Sequence, residues 1–222
     1  MAATPFLMRL TDWLEKREER GADGLDGPDK SPETSAIVIG FGRFGQTVCQ
    51  MLFAKGIGVT TIDKSSNQIE RVGEFGYKVY YGDGTRIDLL RTAGADTAKI
   101  IAFCNDNKDG EMTRDALAAV LKAFPQAAVM VRVFDRLDLI EFDGLNLAFA
   151  ERELFESAIQ MGRAALRLSG IEPNEIDRVE REYRGRDCER LERQTATGDL
   201  AAGLERSFTP DRALPENEGE PA

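Results

Sequence analysis

The stretch AIVIGFGRFGQTVCQ, residues 36–50, runs from a short apolar segment through three glycines into a helical pattern. Gly40, Gly42 and Gly45 have the G-x-G-x-x-G spacing of a dinucleotide-binding turn. Gly40 suits the tight turn, Gly42 the close approach of backbone to a pyrophosphate, and Gly45 close packing of helix on strand. The helix that opens there points unpaired N–H groups and its positive dipole end at phosphates. Asp63 follows at the end of the next apolar run, 18 residues after Gly45. That is near the separation expected for a carboxylate that accepts from ribose hydroxyls, and its charge would repel a 2′-phosphate.

Outward from this turn, short apolar runs alternate with helical patterns. Strands are expected at 36–40, 58–62, 77–81, 99–104, 127–133 and 145–149, with helices at 43–55, 65–73, 86–93, 108–124 and 135–141. Apolar strands separated by helices predict an α/β fold, a Rossmann-like parallel sheet covered on both faces. A helix over 151–169, with Gly170 at its end, closes a domain spanning 36–170. Residues 171–194 read as a charged helix with a narrow stripe of Ile176, Val179, Tyr183 and Leu191, suited to a partner subunit. Residues 195–222 are acidic and Gly/Pro-containing, and read as a disordered tail. At the other end, residues 1–20 form an amphipathic pattern and 21–35 a Gly/Asp/Pro linker. The N-terminal helix fits either packing on the domain or the cytosolic end of a transmembrane helix.

Composition narrows the function. The 222 residues carry 39 acidic and 29 basic side chains, a net charge of −10, which argues against a nucleic-acid partner. There is no histidine, so the commonest general base and metal ligand are missing. Cys49, Cys104 and Cys188 lie far apart without a C-x-x-C motif, a pattern of reduced thiols rather than disulfides or zinc.

Later strand ends add polar residues to the same crevice, because ligands of open parallel sheets sit outside the carboxyl ends of the strands. The expected cofactor contacts are Gly40, Phe41, Gly42, Arg43, Phe44 and Gly45 in the turn, then Asp63 and Lys64. Asp83, Thr85 and Arg86 follow in YYGDGTR, and Asn105 in AFCNDN. Asp83 and Asp106 fit equally well as caps of the helices after them. Arg43 and Arg86 fit phosphate, and Arg43 fits solvent equally well. Nothing after residue 150 resembles a domain that could hold a substrate over a nicotinamide ring, so the nucleotide reads as bound rather than consumed.

Three stretches, IVIGFGRFGQ, TIDKSSNQIERVGEFGYKVYYGDGTRIDLLRTAGA and ERELFESAIQMGRAALRLSGI, together resemble the cytosolic regulatory domain of Kef-type potassium/proton antiporters. The resemblance runs from about Ala36 to Ile171. It implies an RCK/TrkA-N fold that binds an adenine nucleotide, AMP or NAD(H), and forms a homodimer. It also implies a membrane antiporter domain as partner, a place on the cytoplasmic face of the bacterial inner membrane, and room for a soluble ancillary subunit. ATPFLMRLTDWL then becomes the exit from a transmembrane helix. In the best-known members glutathione binds at the dimer interface. Of the residues that hold it, Phe75 and Arg152 match here, Gln50 stands where an arginine is expected, and Asp187 falls near an expected asparagine. Losing one cation implies weakened glutathione binding. Two other readings are a peripheral subunit of a potassium uptake system and a small NAD-dependent oxidoreductase. The apolar N-terminal segment disfavours the first, and the missing substrate domain the second.

Overall fold

A computed structural model describes residues 35–65, 79–107, 110, 112–212 and 214. The N-terminal helix, nearly all of the linker and the helix read at 65–73 lie outside the described residues, as does Phe75.

The expected architecture is present. The strands are β1 (Ala36–Ile39), β2 (Val59–Asp63), β3 (Val79–Tyr81), β4 (Ile100–Phe103), β5 (Ala128–Val133) and β6 (Phe149–Arg152). They form one six-stranded sheet in the order β3-β2-β1-β4-β5-β6. β1 is flanked by β2 and β4, with Ala36 opposite both Val59 and Ile100, and the pairings among β1 to β5 are parallel. β1 is buried along its whole length, which explains why its sequence is a continuous apolar run. The strand order reverses between β1 and β4, so a crevice opens beyond their carboxyl ends. The helices are α1 (Arg43–Phe53), α2 (Ile87–Thr92), α3 (Arg114–Ala123), α4 (Arg136–Glu141), α5 (Phe155–Leu168) and α6 (Pro173–Thr197). Thr113 caps α3 by accepting from the Ala116 N–H, and Asp135 caps α4 by accepting from the Leu137 N–H.

The chain divides into two compact units, which departs from the single domain expected at 36–170. The first takes in the residues up to Arg132 together with Leu145–Ala150. Its core gathers Val38, Phe41, Cys49, Val79, Ala102 and Cys104. The second comprises Val133–Gly144 and everything from Glu151. The last strand falls at 149–152 rather than 145–149, and α5 begins at Phe155 rather than 151. Glu151 and Arg152 are polar, so apolar patterning gave no sign of a strand there.

One expectation about the C-terminal region is corrected, that of a disordered tail. The stripe on α6 is partly covered within the chain: Ile176 is buried, Val179 and Leu191 are half-buried, and Tyr183, 41% exposed, stacks on Phe155 of α5. The segment from residue 195 is folded as far as Arg212. α6 continues to Thr197 and stops at Gly198 with φ +68°, and a 3-10 turn follows at Leu204–Arg206. The Gln194 side chain donates to the Leu200 carbonyl at 2.6 Å, Arg206 pairs with Glu189, and Arg186 lies 4.0 Å over the Phe208 ring. A charged composition hides such pairing, because each partner alone looks like a solvated side chain.

Candidate nucleotide site at the glycine turn

β1 delivers the chain into the turn, and the three glycines answer three different constraints. Gly40 has φ +89°, and a Cβ there would lie 2.5 Å from the Asn105 nitrogen. A Cβ on Gly45 would lie 1.9 Å from the Gly40 carbonyl oxygen. Neither position admits a side chain. Gly42 differs: its φ is −71° and a Cβ there would meet nothing within 4 Å. The space over Gly42 is open, on the side from which a phosphate would approach.

α1 starts directly from Gly42, with no side-chain cap and no acidic residue in its first turn. Its first N–H groups and dipole therefore act on that open space unopposed. Arg43 is exposed at the first helical position. Beside Gly40, Asn105 is half-buried and its Oδ1 is fully buried with no hydrogen-bond partner among the described residues. Buried polar atoms are rarely left so, which marks this one as awaiting a donor.

Asp63 closes the turn against β2. Its Oδ2 accepts from the Phe41 N–H at 2.6 Å and its Oδ1 from the Ser65 N–H at 2.7 Å. A carboxylate offers about four acceptor sites, and the Lys64 N–H bears on this one as well. Burial pushes the Asp63 pKa up, against the pull of the Ser65, Phe41 and Lys64 N–H groups, and the Asp106 charge adds to the rise.

The loop after β3 is drawn in by two more glycines, since a Cβ on Gly84 would lie 2.3 Å from the Ile39 side chain and one on Gly82 2.2 Å from Leu89. There Asp83 accepts from the Thr85 N–H at 2.9 Å and its hydroxyl at 2.8 Å, with Lys64 Nζ 3.5 Å away. Burial pushes the Asp83 carboxyl up, but these donors outweigh it and hold its pKa below the usual range. Asp83 thus folds its own loop instead of capping α2, whose N-cap is Arg86. Asp106 does not cap α3 either, since Thr113 does.

Three expected contacts are placed differently. The Phe41 side chain is buried in the core, so only its backbone belongs to the crevice. Phe44 packs against the same core, with the Arg132 guanidinium 5.4 Å over its ring. Arg86 makes a forked pair with Asp88 at an exposed site. Arg132, which sequence reasoning passed over, donates to the Cys104 carbonyl at 2.9 Å beside the turn. An arginine inside the apolar strand AVMVRV was the available signal.

The second unit holds its own constellation. Asp187 on α6 is buried and bridges Arg136 of α4 and Arg152 of β6. The Arg152 guanidinium also lies 3.8 Å over the Phe155 ring. Burial pushes the Arg136 pKa down, helped by Arg190 and Arg152, and burial pushes the Arg152 pKa down. An open groove of about 400 Å³ runs beside them, lined by Phe134, Arg136, Leu137, Arg152, Leu154 and Phe155 among others. Of the expected effector residues, Arg152 belongs to this unit, while Gln50 is exposed on α1 of the first.

The TrkA-N domain profile matches residues 36–146, half of the sequence. The chain belongs to the TrkA-N domain family. The TrkA-N match covers the glycine turn and the crevice loops but stops short of Arg152 and Asp187. A glutathione-regulated potassium-efflux system protein of Haemophilus influenzae is 35% identical over 215 residues, which is 95% of this chain. The chain spans about a third (34%) of that relative's length. A Kef C-terminal domain from Shewanella denitrificans, solved in an AMP-bound form, is 31% identical with a TM-score of 0.62. The match covers 73% of this chain and 98% of that one. The TrkA-N domain of an Escherichia coli inner membrane protein matches with a TM-score of 0.51 at 18% identity, over 58% of this chain and 93% of that one, a likeness of fold. Among the described residues no helix is long and apolar enough to cross a membrane.

Proposed function

We propose that this chain is the nucleotide-binding regulatory part of a Kef-like potassium/proton antiporter, and that it holds an adenine nucleotide, AMP or NAD(H), in the glycine crevice. The observation that carries this reading is the crevice's unmet polarity: the uncapped start of α1 at Gly42, and beside Gly40 the buried Oδ1 of Asn105, which has no partner among the described residues. A 31%-identical relative solved with AMP supports it. The N–H groups of α1 would receive a phosphate, and the Asp63 carboxylate the ribose hydroxyls. Asn105 Oδ1 would accept from a nucleotide donor.

The nucleotide is bound rather than consumed. The thiols packed beside the turn, Cys49 and Cys104, are pushed up to about 12 by burial and are poor nucleophiles. The regulatory work is conformational: a ligand that favours one arrangement of a homodimer shifts its population, and the segment before residue 35 carries the change to a membrane partner domain at the cytoplasmic face. Glutathione is a poor candidate effector for this chain, because Asp187 already neutralises Arg152 and Gln50 supplies no cation.

Calorimetry with AMP, NADH and NADPH tests the nucleotide assignment. Gly42→Ala keeps the melting temperature, since its Cβ meets nothing, yet fills the phosphate approach and weakens AMP binding at least tenfold, about 1.4 kcal/mol. Asp63→Asn weakens AMP and NADH by about 1–3 kcal/mol through loss of charged hydrogen bonds. NADPH binding tighter than NADH, or undiminished AMP binding by Gly42→Ala, overturns the assignment.

A further inference from the structure

β5 carries one basic residue in an otherwise apolar strand, AVMVRV. Val129, Val131 and Val133 are buried on one face of it. Met130 and Arg132 alternate with them, so they share the other face, and both are half-buried. Met130 packs against the core cluster that holds Cys104 and Phe41 of the glycine turn. Arg132 stands two residues nearer the carboxyl end of the strand, the end at which the crevice opens. A guanidinium held half out of water there is costly unless its N–H groups are used.

They are used at the rim of the crevice. One step past the last β4–β5 pair, Phe103 opposite Val131, the Arg132 Nη1 donates to the Cys104 carbonyl at 2.9 Å. That carbonyl belongs to the peptide group that leads into Asn105. The Asn105 nitrogen is the atom that a Cβ on Gly40 would strike at 2.5 Å. The Cys104 N–H donates to the Ile39 carbonyl at 2.7 Å, so β1 fixes one side of Cys104 and Arg132 the other. Because a peptide group is planar, holding its oxygen also sets the direction in which Asn105 leaves the strand. The same guanidinium lies 5.4 Å over the ring of Phe44, the second residue of α1, which packs on the core.

We infer that Arg132 is a positioning residue of the nucleotide crevice: it holds the Cys104–Asn105 peptide against Gly40 and registers it to the first turn of α1. This role rests on the nucleotide reading above, and it acts through Asn105 and α1 rather than on the nucleotide itself. Walls fixed before the ligand arrives strengthen binding, because ordering them no longer opposes it. A guanidinium donates in its plane and stacks by its face, so it serves both contacts together, whereas an ammonium has no face to stack.

The test compares wild type, Arg132→Met and Arg132→Lys, each as the 222-residue chain. Met keeps the packing of the stem and loses donor and charge; Lys keeps the charge and loses the plane. Calorimetry below the melting temperature is expected to show AMP binding weakened roughly tenfold by Arg132→Met and roughly threefold by Arg132→Lys. Adenosine, which lacks the phosphate, weakens by the same factor as AMP in Arg132→Met, because Asn105 is displaced for both ligands. In amide correlation spectra, the shift of the Asn105 side-chain signal at saturating AMP shrinks in Arg132→Met. A residue that only added stability would lower the melting temperature and leave that shift at full size. AMP bound as tightly by Arg132→Met or Arg132→Lys as by wild type overturns the role. So does a loss confined to AMP, which makes Arg132 a direct phosphate ligand. If Arg132→Met fails to fold, Arg132→Lys decides by the same readouts. A wild type that binds neither AMP nor NADH overturns the crevice assignment and this role with it, whereas intact wild-type binding with unaffected variants overturns the role alone.

Discussion

Replacing Asp187 removes the only carboxylate placed between Arg136 and Arg152 among the described residues. The three side chains are 6%, 21% and 14% exposed, so little water reaches the ion cluster. Removing one partner of a buried pair destabilises by about 3–5 kcal/mol, because the remaining charge stays desolvated. Here two guanidiniums are left, each with some solvent access, which points to about 3 kcal/mol for Asp187→Ala. Asparagine keeps a neutral acceptor and forfeits the charge-assisted share, about 1.5–3 kcal/mol. For a chain of this size about 1 kcal/mol moves the midpoint by about 2–4 °C. Asp187→Ala is therefore expected to melt about 6–12 °C below wild type, and Asp187→Asn about 3–12 °C below it. The same change frees Arg152 for an external anion. Millimolar glutathione should raise the midpoint of Asp187→Asn and leave wild type unmoved in a thermal-shift assay. An Asp187→Asn variant melting within about 1 °C of wild type refutes the buried counter-ion argument. Glutathione that stabilises wild type as strongly as the variant refutes the claim that Arg152 is already satisfied.

Two further outcomes follow from the environments of single groups. Cys49 and Cys104 are buried and Cys188 is exposed, so Ellman's reagent on the native protein should titrate one thiol, and Cys188→Ser should abolish the reaction. Even that thiol should react slowly, since burial and the neighbouring carboxylates of Glu192 and Glu189 raise its pKa. Asp63 has a raised folded pKa, so the native state holds its proton more tightly than the unfolded chain and loses stability as pH climbs through the raised value. Asp63→Asn, which cannot ionise, should gain on wild type in urea unfolding as pH climbs above about 4, and parallel pH profiles would contradict this.

The first unit was legible because its signals are local and agree with one another. The apolar run of β1, the glycine spacing and the acid at the end of β2 each announce the same strand–turn–helix, and the structure places them together. A motif gives the backbone path but not the direction of each side chain, and the Phe41 and Phe44 rings both turn to the core. The second unit was harder to read because its order rests on ion pairs between residues far apart in sequence. Arg163 of α5 donates to Asp177 and Glu180 of α6, and Arg184 of α6 donates to Glu156 at 2.6 and 2.8 Å. No spacing rule within either helix foretells those partners. Asp187 does continue the stripe of Ile176 and Tyr183, and an acid on a partly covered face was the one hint of its role.

The position of β1 in the sheet has a consequence for synthesis. It is the earliest described strand in the chain yet one of the innermost, and Ala36, Ile37 and Val38 have no exposed surface in the finished fold. One of its edges waits for β4, which begins about 60 residues later. At a ribosomal pace of about 5–20 residues per second that delay is roughly 3–12 s, during which an apolar strand leaves the exit tunnel with one partner not yet made. The nascent chain is therefore most exposed to misassociation before residue 103, and a chaperone that shields short apolar segments has its clearest target at Ala36–Ile39.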